Sequence, residues 1–313
     1  MFEIWRRPKP FYEQPGETGG HHAETPEDIE FKKQFDRTTR INVRSHDDLD
    51  GLIKEECAEI VHVIPPSPKD IPILLAPGYL SPAQEYRMAI HELYNKDVEV
   101  ISLNYPKKRS FLDLSNEQVS LIDQYFNPKK EDEIRKAITL LKVLEHEHVD
   151  TVNVIAHSAG AVDAAIAALL HPGKIGNIIF FCPAGLVDKN HRRLLSGLRK
   201  HIGDTLSESE WITEAKRRPI NALAEGLGLI DIDIHKLIRA LHERGVGLFI
   251  VSGANDPVFP IDAIMNFLKR EIEEGLVGIS TFNGGHGNIE QYMSEAIKIF
   301  GQLNQEKNLK IAS

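Results

Sequence analysis

The sequence predicts an α/β protein, a doubly wound and mostly parallel sheet interrupted by an inserted helical cap. Three observations carry that expectation. From about residue 56, short apolar or β-branched runs alternate with helix-length segments, the rhythm of a sheet built from crossover units. The rhythm breaks after Cys182 and resumes at GLFIVSG. Several of the strand-like runs are apolar at nearly every position, as strands covered on both faces are.

Residues 1–38 are rich in Pro, Gly and charge (PKPFYEQPGETGGHH) and hold neither period 2 nor period 3.6, so irregular structure is expected there. His21 and His22 have no further candidate ligands nearby in sequence and read as a solvated loop. CAEIVHVI then reads as a strand, PPSPKD as a turn and IPILLA as a buried strand. PAQEYRMAIHELYNK has helical composition, VEVISLNYP is the next strand, and EDEIRKAITLLKVLEHE sets Ile134, Ala137, Ile138 and Leu141 on one helical face. DTVNVIAHS is a strand, SAGAVDAAIAALLH a helix stopped by Pro172-Gly173, and GNIIFFC a strand.

Residues 187–244 show helical segments but no strand, with Ile234, Leu237, Ile238 and Leu241 at i, i+3, i+4, i+7 spacing. They are assigned to a cap over the carboxyl ends of the strands. The core is then residues 39–186 and 245–313, completed by GLFIVSG, VGISTF and the closing helix NIEQYMSEAIKIFGQL. A length of 313 residues suits one such unit carrying an insertion.

The segment that points to chemistry is Val152-Asn153-Val154-Ile155-Ala156-His157-Ser158-Ala159-Gly160, a β-branched strand entering a small-residue turn and then an Ala-rich helix. A serine in so tight a bend exposes its Oγ, and the small residues Ala156 and Gly160, two before and two after, avoid clashes with neighbouring elements. The helix start aims N–H groups and the positive end of its dipole at the same place, which favours an oxyanion. Serine is a weak nucleophile at neutral pH, so a histidine base and an acid to orient it are required. Asp256 follows GLFIVSG, and His286 follows VGISTF between glycines that allow a sharp backbone bend.

This arrangement resembles the α/β-hydrolase superfamily, the serine hydrolases of esterase and lipase type with a helical cap. A-H-S-A-G differs from the usual G-x-S-x-G by one methyl group, and the order Ser158, Asp256, His286 is the superfamily's order. The resemblance covers roughly residues 56–304. It implies Ser158 as nucleophile, His286 as base, Asp256 as orienting acid, and the backbone N–H groups of Ala159 and Tyr79 as the oxyanion hole. Gly78 is the supporting turn residue, and Pro77 stands where the superfamily often has histidine. The implied reaction is cleavage of a carboxylic ester through an acyl-enzyme, on a small-molecule and partly apolar acyl substrate. Thioesters, lactones and carbon–carbon bonds of diketone-like substrates stay open, as does a non-catalytic ligand-binding protein on the same scaffold.

Other features have plainer readings. Asp188 is a substitute acid ranked behind Asp256. His157 is expected to point away from Ser158 and to support the site by packing. Glu145-His146-Glu147-His148 reads as a solvated helix end, because i, i+2 histidines do not share a helical face and no third ligand is evident. His62, His91 and His171 have no partner recognisable in the sequence and are treated as structural. Cys57 and Cys182, the two cysteines, read as core thiols, with a bridge between them left open. Arg192, Arg193, Arg199, Lys200, Lys216, Arg217 and Arg218 form either an ordinary solvated face or a basic surface on the cap that attracts an anionic substrate or membrane. A net charge of -9 argues against nucleic acid as a partner. No stretch reaches the roughly 18 apolar residues of a membrane span, and the expected location is cytoplasmic. No metal or organic cofactor is expected.

Overall fold

The structure is a computed structural model and describes residues 25–42, 57–69, 71–78, 81–106, 115–124, 131–184, 234–286 and 289–312. The elements run in the order α1 (Pro26–Phe35), β1 (Thr38–Asn42), β2 (Cys57–Val63), β3 (Ile73–Ala76), a 3-10 turn (Ala83–Tyr86), α2 (Arg87–Tyr94), β4 (Val100–Asn104), α3 (Asn116–Asp123) and α4 (Glu131–His146). There follow β5 (Val152–His157), α5 (Gly160–Leu170), β6 (Ile175–Phe181), α6 (Ile234–Glu243), β7 (Gly247–Gly253), α7 (Ile261–Phe267), α8 (Lys269–Glu273), β8 (Gly278–Phe282), a second 3-10 turn (Ile289–Tyr292) and α9 (Met293–Ala312).

Among the described residues the sheet has eight strands in the order β1-β2-β4-β3-β5-β6-β7-β8. β2 runs antiparallel to both neighbours, and every pair from β4 to β8 is parallel. Strand alternation divides the apolar runs between two cores. Leu74, Ala76, Val154, Ala156, Ile178 and Phe180 pack with α4, α5 and α6 on one face. Ile73, Leu75, Ile155, Ile179 and Phe181 pack with α1, α2 and α9 on the other. The fold is therefore doubly wound, as the sequence predicts.

The order also fixes where chemistry can occur. The chain leaves β3 on one side to make β4 and returns on the other to make β5, so the winding reverses between β3 and β5. The crevice at the carboxyl ends of such a pair is where open α/β sheets hold ligands. The loop Ala76-Pro77-Gly78 and the turn at Ser158 flank that crevice.

Three expectations are corrected. Residues 26–35 are helical, not irregular: Thr25 caps α1 with a reciprocal Asp28 bond and Pro26 stands in the first turn, while Phe31 and Phe35 bury one apolar face. Thr38–Asn42, assigned partly to that segment, is an edge strand paired with β2. Finally, Ile234–Glu243 does form a helix, but α6 is not cap. Its Leu237, Ile238 and Leu241 lie in the core beside α5 and β7, so α6 is the crossover helix leading into β7. The rest of the expected cap, its seven basic residues and Asp188 lie outside the described residues, as do His21 and His22. No described helix is long and apolar enough to cross a membrane.

Candidate active site

β5 delivers Ser158 to the top of the sheet. Its six residues are all buried, and at its end Ser158 takes the left-handed conformation with φ +51, a strained state for a side-chain-bearing residue. The turn is braced on three sides: Ser158 N–H donates to Phe181 O (2.9 Å), and Ser158 O accepts from Ala161 N–H (3.2 Å) and Ala184 N–H (3.0 Å). Gly160 has to be glycine, since a Cβ there would lie 2.6 Å from the carbonyl oxygens of both Ala76 and Pro77. Ala156 pairs with Ala76 on one side and Phe180 on the other.

Asp256 and His286 stand on loops after β7 and β8 that are tied together: Ala254 N–H donates to Phe282 O (2.9 Å) and Asn255 N–H to Gly284 O (3.1 Å). The close approach depends on Gly253, where a Cβ would meet Gly284 O at 2.4 Å. Asp256 Oδ1 accepts from the N–H groups of Val258 (2.7 Å) and Phe259 (3.0 Å), which turns Oδ2 toward His286 Nδ1 at 2.8 Å. His286 Nε2 lies 3.1 Å from Ser158 Oγ. The three side chains that the sequence separates by as much as 128 positions thus form one continuous hydrogen-bonded line.

All three are nearly withdrawn from water, with 8%, 4% and 8% exposure for Ser158, Asp256 and His286. Burial pushes the Asp256 carboxyl up, but the His286 hydrogen bond and charge together with the Phe259 and Val258 N–H groups outweigh it, and the carboxyl sits below its ordinary value. It is held as a carboxylate, the form that accepts from His286 Nδ1–H and leaves Nε2 free to take a proton from Ser158 Oγ. α5 begins without a side-chain N-cap; Ala161 N–H and Val162 N–H are bonded to Ser158 O and Ala159 O, and the expected oxyanion donor, the Ala159 N–H, belongs to the N-cap residue at the positive end of the helix dipole. Gly78 N–H is committed elsewhere, donating to Tyr86 Oη at 2.7 Å. Tyr79, the other expected oxyanion donor, lies outside the described residues.

Cys182 is a neighbour that the sequence did not flag. It takes φ +45 just beyond β6, and its Sγ lies with ligand atoms of Asp256 and His286 in a group spanning no more than 4.8 Å. Burial first, then the charge of Asp256, pushes its thiol well above the ordinary value. Both cysteines are buried free thiols.

Two other histidines, His62 and His91, are better partnered than the sequence suggests. His62 bridges Glu147 (Nδ1 to Oε2, 2.5 Å) and Glu99 (Nε2 to Oε1, 2.8 Å), and His91 meets Asp28 at 3.1 Å. The Glu145–His148 run is the end of α4: His148 adopts φ +55, its N–H returns to Glu145 O and Val149 N–H to Leu144 O, a closing motif of helices. Its Glu147 turns inward to His62, so that residue is not simply solvated.

No protein-family model matches this chain, and no curated protein matches it. Solved structures do. They include an α/β-hydrolase enzyme from the metagenome of sediments of the lagoon of Mar Chica, Morocco (TM-score 0.51, 15% identity, covering 80% of this chain and 96% of that one). Bromoperoxidase from Bacillus anthracis matches with TM-score 0.55 at 14% identity over 86% of this chain and 100% of its own. Naproxen esterase from Bacillus subtilis matches with TM-score 0.52 at 13% identity over 88% and 98%. Likeness at such identities concerns architecture, and on architecture these matches agree: the chain has the α/β-hydrolase fold.

Proposed function

We propose that this protein is a serine hydrolase that cleaves a carboxylic ester-type bond through an acyl-enzyme. The observation that carries the reading is the unbroken line Ser158 Oγ, His286 Nε2, His286 Nδ1, Asp256 Oδ2, with steps of 3.1 and 2.8 Å. Each side chain has the role its surroundings equip it for. Ser158 Oγ attacks the substrate carbonyl as its proton passes to His286 Nε2. Asp256 steadies the resulting imidazolium, and the oxyanion is met by the Ala159 N–H and, in this proposal, the Tyr79 N–H. The imidazolium then protonates the leaving alcohol, and a water activated by the same imidazole releases the acid. The chemistry so written balances without a metal or organic cofactor.

The proposed substrate is a small or medium, partly apolar acyl ester, drawn into the crevice between β3 and β5. A panel of p-nitrophenyl esters of rising chain length, with matching thioesters, tests the reading on wild type and Ser158→Ala. Turnover that falls by thousands-fold or more in the variant is expected. Near-normal turnover by Ser158→Ala would refute it, and no turnover of any ester by wild type would favour a binding protein on this scaffold.

A further inference from the structure

The residue before the proposed nucleophile sits in a hydrogen-bonded network. His157 Nε2 lies 2.9 Å from the main-chain oxygen of His286, a group that only accepts, so Nε2 carries hydrogen. His157 Nδ1 lies 2.8 Å from Tyr86 Oη. Tyr86 Oη already accepts from Gly78 N–H at 2.7 Å, and Nδ1 of a neutral ring with its hydrogen on Nε2 can only accept. Its own hydrogen is therefore the one given to Nδ1. Every donor in the chain Gly78 N–H, Tyr86 O–H, His157 Nε2–H finds one acceptor, and the line ends on the loop that carries the proposed base. Burial pushes the Tyr86 hydroxyl far above the ordinary phenol range, so it remains a donor at any working pH. Gly78 is packed against the same ring, since a Cβ there would meet His157 Nδ1 at 2.9 Å.

We infer that His157 and Tyr86 are positioning residues that clamp two loops to the serine's turn: the one bearing His286, and the one after β3 that leads to the proposed oxyanion donor Tyr79. The inference rests on the serine-hydrolase reading for its effect on rate, but not for the clamp itself. The His157 ring also packs against the imidazole of the proposed base, with centroids 5.2 Å apart. His157 holds the backbone of His286 while Asp256 holds its ring, so the imidazole is fixed from both ends. Tyr86 carries the same constraint to Gly78. Loss of such a constraint displaces the base by a fraction of an ångström to an ångström, which costs rate much more than binding.

The two ring nitrogens can be tested separately. Glutamine sets its amide nitrogen near the place of histidine Nε2, asparagine sets its oxygen near Nδ1, and phenylalanine keeps the volume with neither. For His157→Gln, kcat on a turned-over ester is expected within a few-fold of wild type. His157→Asn and His157→Phe are expected to lose about 10- to 100-fold in kcat with KM nearly unchanged. Amide exchange at Gly284 to His286 should accelerate in the same two variants, and exchange at Gly78 should accelerate in Tyr86→Phe. Thermal melts identify any variant that has merely unfolded. A His157→Phe protein that folds, turns over substrate like wild type and exchanges its Gly284 to His286 amides no faster would overturn the inference, as would a His157→Gln protein as impaired as His157→Phe. Should wild type neither hydrolyse an ester nor react with a fluorophosphonate, the serine-hydrolase reading fails, while the exchange rates still decide the clamp.

Discussion

Replacing His62 by glutamine separates a fold-stabilising ion cluster from the proposed chemistry. His62 stands on β2 between Glu99, just before β4, and Glu147, just after α4, with its side chain 17% exposed. His146 Nε2 is 3.8 Å from the other Glu147 oxygen, and His148 adds positive charge to Glu147. Burial pulls the His62 imidazole down, yet the hydrogen bonds and charges of Glu147 and Glu99 overcome it and raise the pKa from 6.5 to about 9. Glu147, bonded to His62, is correspondingly held below its ordinary value. At about 1.4 kcal/mol per unit, the raised imidazole corresponds to an upper limit of about 3–4 kcal/mol. The sign follows from the direction of the shift: this contribution is complete below pH 6.5 and is lost as the pH rises through about 9. With about 2–4 °C of Tm per kcal/mol in a domain of this size class, His62→Gln should melt several degrees below wild type at pH 6, and the gap should close toward pH 10. Thermal melts of both proteins across that range provide the assay. A gap that stays constant from pH 6 to pH 10, or one that widens with pH, would refute the reasoning.

Two further outcomes follow from the site. Asp256→Asn keeps an oxygen for the Val258 and Phe259 N–H groups but offers an N–H to His286 Nδ1, imposing the wrong tautomer; kcat on a turned-over ester should fall by about a thousand- to ten-thousand-fold with the fold intact by circular dichroism. Gly160→Ala forces a methyl group onto two carbonyl oxygens 2.6 Å away, and should lower both Tm and kcat, whereas Gly173→Ala, which meets nothing within 4 Å, should leave kcat unchanged; equal behaviour of the two in a parallel assay would contradict the packing account of the turn.

Most strands were legible because burial on both faces leaves unbroken apolar runs such as ILLA and IIFF, and β-branched VNVIAH led straight to the serine. β1 was not, because TTRIN has one apolar side chain and becomes a strand through pairing with β2. The helix α1 was hidden by its neighbours: the Pro and Gly before it obscured the Thr25 and Asp28 cap. The apolar stripe of α6 identified a helix but not its packing partner, for period 3.6 says that a face is buried and not against what. Ser158, Asp256 and His286 were readable because each follows a strand. Tyr86 and the partners of His62 were not, since a hydrogen bond spanning 71 or 85 positions leaves no local mark. Cys182 looked like any core thiol until the turn after β6 set it beside Asp256.

The most direct measurement is labelling of the folded wild-type protein with a fluorophosphonate, followed by intact mass and peptide mapping, with Ser158→Ala and His286→Ala beside it. One adduct per chain, located on Ser158, absent from Ser158→Ala and formed orders of magnitude more slowly in His286→Ala, is the expected result. No adduct on folded protein, or an adduct on another residue that persists in Ser158→Ala, would contradict the claim that these three side chains act together on a carbonyl.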